Sequence, residues 1–160
     1  MDLKNVLQLR PTQPEDLDVL FPIHTDPEGL NQAAFTAKDP TDKSAFVAHW
    51  TKCLNDPTMI NKTVWLVNEL VGTLDYWLLG KEPNLSYWID KTHRGKGIGT
   101  AALQLFLKEI DTRPLFARIA YDNLGSQRLL QKCGFKKYDE GLHFANARQA
   151  EIKELLFRLD

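Results

Sequence analysis

The stretch Tyr87-Trp88-Ile89-Asp90-Lys91-Thr92-His93-Arg94-Gly95-Lys96-Gly97-Ile98-Gly99-Thr100-Ala101 decides the fold. Its first residues are aromatic and β-branched and close a strand predicted over Asn84 to Asp90. Three alternating glycines follow, and an apolar helix is predicted from Ile98 to Ile110. Glycine lets the backbone take positive φ and approach a ligand closely. The start of a helix offers unpaired N–H groups and the positive end of a dipole, a place for a pyrophosphate. Arg94 and Lys96 add positive charge beside it.

Other phosphate-binding turns fit less well. A Walker A loop needs a Gly-Lys pair followed by Ser or Thr at fixed spacing, which is absent here. A dinucleotide fingerprint spaces its glycines two and three apart inside a parallel βαβ unit. Gly95, Gly97 and Gly99 are two and two apart, and they follow a hairpin. A tight strand-to-helix turn with no ligand is the bland alternative.

Upstream, Thr63 to Val67 and Leu70 to Leu79 read as two strands joined by a turn at Asn68-Glu69. Val6 to Arg10 reads as a first strand. A helix is predicted to start near Thr12 or Gln13, run through Leu17, Leu20 and Phe21, and stop near Pro22. Residues 25–40 give mixed signals, for loop or short helix. Thr41 is the predicted cap of a helix carrying Phe46, Val47, Trp50 and Leu54. Downstream come a strand (Leu115 to Tyr121), a helix (Asn123 to Lys132) and two closing strands, Phe135 to Phe144 and Glu151 to Leu159. Helices first, then a meander, then alternating elements argue for an α+β domain with a mixed, mostly antiparallel sheet.

The chain has 160 residues, 43% hydrophobic and 26% charged, with a formal net charge of -1. That length fits one domain, residues 1–160, with a real core. Without a basic surplus, neither nucleic acid nor an anionic membrane is an expected partner. Two cysteines, Cys53 and Cys133, make neither a disulfide framework nor a zinc spacing, so no metal is expected. The first ten residues lack a long apolar stretch, and no segment approaches the length of a membrane span. A reducing, cytoplasmic setting is the expectation.

Arg94-Gly95-Lys96-Gly97-Ile98-Gly99 resembles the pyrophosphate loop of the GNAT superfamily of N-acetyltransferases. That loop has Gln or Arg, two residues, Gly, one residue, then Gly or Ala. Asn123-Leu124-Gly125-Ser126-Gln127-Arg128-Leu129-Leu130-Gln131-Lys132-Cys133-Gly134-Phe135 resembles the same superfamily's later motif, with the expected strand between the two. The resemblance covers roughly residues 61–160 and is nearest to the branch of the ribosomal-protein alanine N-acetyltransferases. It implies the GNAT (acyl-CoA N-acyltransferase) fold, acetyl-CoA as cosubstrate, an amine acceptor, and a monomer or homodimer. It also implies an opening between the strands Asn84 to Asp90 and Leu115 to Tyr121.

On that resemblance the pantetheine arm pairs with free backbone groups of Trp88 and Ile89. The pyrophosphate sits on Gly95, Lys96, Gly97, Ile98, Gly99 and Thr100, next to Arg94. Asn123 contacts the pantetheine or caps the following helix. Many branches carry a Tyr acid seven residues after that Asn; here the position is Leu130, and Ser126 is the implied substitute. From the residues themselves, Asp75 stands out, because Asp is disfavoured in mid-strand. It is a candidate base or amine anchor, and Tyr87 on the adjacent strand is a similar candidate. Cys133 reads as a small buried hydrophobe, Gly134 as a helix-ending residue and Phe135 as core. His93 reads as packing or surface. Residues 28–50 are expected to wall the acceptor. The predicted activity is acetyl transfer to a primary amine of a small molecule or a protein N-terminus. A non-catalytic acyl-CoA-binding domain and a nucleotide-binding protein are the other readings.

Overall fold

A computed structural model describes residues 2–160; Met1 lies outside the described residues. Asp2 caps a single turn, α1 (Leu3–Val6), by accepting from the Lys4 amide. The chain then extends into β1 (Leu7–Pro11), so the strand expected from Val6 starts one residue later. Gln13 and Asp16 form a reciprocal capping box around a short 3-10 turn. From there α2 (Leu17–Ile23) buries Leu17, Leu20 and Ile23. Pro22 does not end α2 but lies within its last turn, where only one N–H is lost.

The undecided region contains α3 (Pro27–Ala33). Asp26 caps it by accepting from the Gly29 amide at 2.7 Å, with Pro27 at the first helical position. Next, α4 (Lys43–Leu54) is capped by Asp42, one residue later than Thr41. The hairpin β2 (Ile60–Leu66) and β3 (Glu69–Leu79) turns at Val67-Asn68, not Asn68-Glu69. A bulge at Val64/Trp65 shifts the register by one residue and moves the turn with it.

The remaining elements fall close to expectation: β4 (Glu82–Ile89), α5 (Ile98–Lys108), β5 (Leu115–Ala120), α6 (Leu124–Lys132), β6 (Lys136–Ala145) and β7 (Ala150–Leu159). At the end of α6 the Phe135 amide reaches the Leu130 carbonyl, and the Gly134 amide reaches that of Gln131. Gly134 at φ 91 completes the stop.

One seven-stranded sheet runs in the order β1-β2-β3-β4-β5-β7-β6. Every neighbouring pair is antiparallel except β4 and β5. On one face α1, α5 and α6 cover the main core, with Phe106, Leu103, Leu130, Phe135 and Phe157 almost fully buried. On the other face α2 and α4 cover a smaller core around Leu20, Trp50 and Leu70. No helix among the described residues is long and apolar enough to cross a membrane.

Candidate active site

The parallel strands β4 and β5 pair at a single register point, Asn84 with Phe116. Beyond it they diverge, while each keeps a full ladder on its other side. This opening ends at the glycine turn. Gly95 and Gly97 have φ of 75° and 80°, conformations that an L side chain rarely adopts. Gly97 is the residue that starts α5, and it has no side chain to cap the first-turn amides of Ile98, Gly99 and Thr100. Those donors and the dipole of an 11-residue helix make a place for anionic oxygens.

Arg94 does something different from what its position in the motif suggests. Its Nε donates to the Ile89 carbonyl at 2.9 Å, and its other nitrogens grip the Asp26 carboxylate at 2.9 and 3.1 Å. The guanidinium is therefore neutralised and fixed, so it orders the turn and does not stand free beside it. The Ile89 carbonyl, expected to be free, accepts from this arginine. Burial opposes ionisation of Asp26, but Arg94 and the Gly29 amide outweigh it and hold the carboxyl below its usual range. Lys96 remains exposed on the turn.

Tyr87 and Ser126 meet at the opening. The Tyr87 hydroxyl donates to the Ser126 carbonyl at 3.4 Å, from β4 to the first turn of α6. Burial pushes the phenol pKa upward, so Tyr87 stays a neutral proton donor. Asn123 caps α6: its Oδ1 accepts from the Ser126 amide at 3.2 Å, and its Nδ2 reaches the Gln32 carbonyl at 3.4 Å. Leu130 is wholly buried in the main core. His93 sits off the opening, bonded to Asp90 at 3.1 Å.

Asp75 is on the other face of the sheet. Its register partner is Ser86, whereas Tyr87 pairs with Leu74, so the two side chains leave the pleat on opposite faces, although Tyr87 also borders the cavity that Asp75 lines. Asp75 lines a cavity of 630 Å³, a size suited to a small ligand. The segment 28–50 supplies much of the wall, through Leu30, Phe35, Phe46 and Trp50; Trp77 and Trp88 close it from the strands. Asp75 Oδ1 is sealed from solvent and meets no donor. Burial alone lifts this carboxyl well above its ordinary pKa.

His24 also lines the cavity and was not singled out in the sequence. It stacks on Trp88 with centroids 5.0 Å apart, and its Nε2 lies 3.0 Å from Thr73 Oγ1. Burial drives its pKa down to about 3, against a smaller pull upward from Asp26, so the ring is neutral. Only its nearness to Trp88, 64 positions away, reveals it, and no local pattern encodes that. Cys53 lies 3.6 Å from His49 Nε2, but burial raises its thiol pKa, which argues against a thiolate nucleophile.

A mixed sheet prised open between two parallel strands, with an uncapped glycine-led helix at the end of the gap, defines an acyltransferase-type domain. The profile of the acetyltransferase (GNAT) domain matches residues 7–136, and the chain belongs to that family. It is 38% identical over 90 residues to Probable N-acetyltransferase YjcK of Bacillus subtilis (strain 168). That match covers 54% of this chain and 45% of the relative, so the chain spans about half the length of the curated relative it matches. A ribosomal-protein-alanine N-acetyltransferase from Brucella melitensis superposes with TM-score 0.79 at 20% identity, covering 95% of this chain and 98% of that one. A spermidine N-acetyltransferase from Vibrio cholerae, in complex with CoA and spermine, gives TM-score 0.78 at 17% identity, with 96% of each chain covered. At these identities the two structures speak for the fold.

Proposed function

We propose that this protein transfers an acetyl group from acetyl-CoA to a primary amine, by direct attack of the amine on the thioester. The observation that carries the reading is the opening between β4 and β5, ending on the uncapped start of α5. The pyrophosphate is held by the amides of Gly95 to Thr100, with Lys96 adding charge and Arg94 holding the turn in shape. The pantetheine lies along β4 at Trp88 and Ile89, beside Asn123. The CoA-bound state of the Vibrio cholerae neighbour supports this cosubstrate.

The acceptor comes from the opposite face, through the cavity that contains Asp75. An alkylammonium must lose a proton before it can attack, and a carboxylate made more basic by burial is suited to take it. The amine nitrogen then bonds to the carbonyl carbon, the C–O π pair moves onto oxygen, and the nitrogen gives up its second proton to solvent. Collapse of this intermediate breaks the C–S bond. The Tyr87 phenol, neutral and with Ser126 beside it, donates a hydrogen bond to the departing sulfur, and the thiolate takes its proton from solvent. Tyr87 thus fills the role that Leu130 lacks the chemistry to perform. Asp75 then gives its proton to solvent, which resets the site.

Leu130 at the family's usual acid position favours a second reading, in which the domain binds acyl-CoA without turning it over. Thermal unfolding with acetyl-CoA, NAD and ATP tests binding. Ligand at 100 times its Kd stabilises by about 2.7 kcal/mol, a shift of roughly 5–11 °C for a chain of this size. No shift with acetyl-CoA at millimolar concentration sinks both readings. A shift without turnover over a broad amine panel selects the second.

A further inference from the structure

We infer that the cavity takes an amine that enters as a cation and carries no carboxylate or phosphate of its own. This rests on the reading of the cavity as the acceptor side, and it narrows the acceptor from amines in general to decarboxylated, cationic ones. Three independent features point there. First, Asp75 lines the cavity and its buried Oδ1 meets no donor of the protein, so an ammonium beside this carboxyl would both pair with it and favour its charged form. Second, no Lys or Arg is among the residues lining the cavity; of its two histidines His24 is neutral, and His49 turns its Nε2 to the Cys53 sulfur at 3.6 Å. Third, Trp50, Trp77, Trp88 and Phe46 line the same space. Aromatic walls suit both an apolar body and a cation.

The other acids lining the cavity reinforce the sign of the field without making a site by themselves. Asp39 and Asp56 order local turns by accepting from Thr41 and Thr58, and Asp42 caps α4. Their charges nonetheless remain on the wall, so a carboxylate entering past them meets like charge throughout. Discrimination here therefore comes from repulsion as well as attraction. An α-amino acid brings its carboxylate within a few bonds of the amine that Asp75 would hold, and so it is rejected. The amine formed by removing that carboxylate is accepted.

Matched pairs test this directly: 1,5-diaminopentane against lysine, and 2-phenylethylamine against phenylalanine. Binding is read from the fluorescence of the cavity tryptophans, with CoA present and no acetyl donor. Turnover is read separately with acetyl-CoA. We expect each amine to bind about tenfold or more tightly than its carboxylated partner, and Asp75→Asn to shrink that ratio to within about threefold. Equal or tighter binding of the amino acids overturns the inference, as does no binding of either amine up to ~10 mM. Because the matched pairs are compared in the unaltered protein, the test stands even if Asp75→Asn folds poorly. Selective amine binding without turnover leaves the inference intact and removes the transfer reading instead.

Discussion

Asp75 and His24 line one cavity, and burial drives their protonation in opposite senses. For His24 the unfolded value near 6.5 falls to about 3 in the fold. Between those values the unfolded chain carries the extra proton, so stability rises with pH across that window and is flat in this group above it. Each pH unit inside the window is worth up to about 1.4 kcal/mol. Because Asp75 acts the other way over part of the same window, the readout is the difference between proteins: denaturant unfolding at pH 5 and pH 7 should show His24→Gln gaining less stability, or losing more, than the unaltered protein as pH rises. For Asp75 the folded pKa is raised, so its contribution runs the other way: it destabilises above the unfolded value near 4 and increasingly so as pH rises through the folded value. Asp75→Asn should therefore stabilise the protein at pH 8, by about 1 kcal/mol or more, while lowering kcat/KM for an amine. A variant that is less stable and fully active would contradict both the buried charge and its use. A carboxylate kept at a cost in stability is what a working group looks like.

At the scale of elements, the glycine turn is tied to α3 by the Arg94–Asp26 pair, and Gly29 lies against that joint. A Cβ there would lie 2.6 Å from an Arg94 nitrogen, 2.7 Å from Asp26 Oδ1 and 2.8 Å from the Trp88 ring. Gly29→Ala should destabilise by about 1–3 kcal/mol and weaken acetyl-CoA binding together with it, since one joint holds both the turn and the cavity wall. Thermal unfolding with and without acetyl-CoA measures both. The hairpin offers the opposite case. Val67 is β-branched and 62% exposed, yet its φ is 60°. Val67→Gly should stabilise by roughly 1 kcal/mol, seen as a raised denaturation midpoint, because it relieves that conformation and loses little packing. The same two places show what was legible. Strand β4, the turn, α5, β5 and α6 could be read because local rules agree there: β-rich runs, glycines, a capping Asn and a Gly stop. Asp26-Pro27-Glu28 was an available start signal for α3, obscured by the polar, turn-like residues around it. The turn at Val67 was hidden by a bulge that only strand pairing reveals.

Taken whole, the molecule is two blocks of sheet, β1 to β4 and β5-β7-β6, joined at one ladder position and clamped by α5 and α6. The proposed cofactor side lies along that seam and is written in contiguous motifs, which is why the turn and Asn123 stood out. The proposed acceptor side, the cavity, gathers His24, Phe46, Asp75 and Trp88 from four separate segments, and no periodicity links them. Asp75 was visible only as an anomaly in its own strand. The seam also leads to the last expectation. Backbone groups of β4 and β5 that face the gap lack strand partners, so in the free protein their amides should exchange with solvent faster than those of Val64 or Leu74 inside the β2–β3 ladder. An acyl-CoA seated along β4 supplies partners on that side and links the two blocks, so the slowing should be concentrated at Tyr87 to Ile89 and the start of α5. At 100 times the Kd it should approach a hundredfold wherever exchange requires the ligand to leave. If acetyl-CoA protects α3 and α4 and leaves β4 unchanged, the cofactor lies in the cavity with Asp75, and the two sides of the site must be exchanged. Protection along β4 with the cavity amides unaffected keeps the donor and acceptor on opposite faces, with the gap between the strands as the place where they meet.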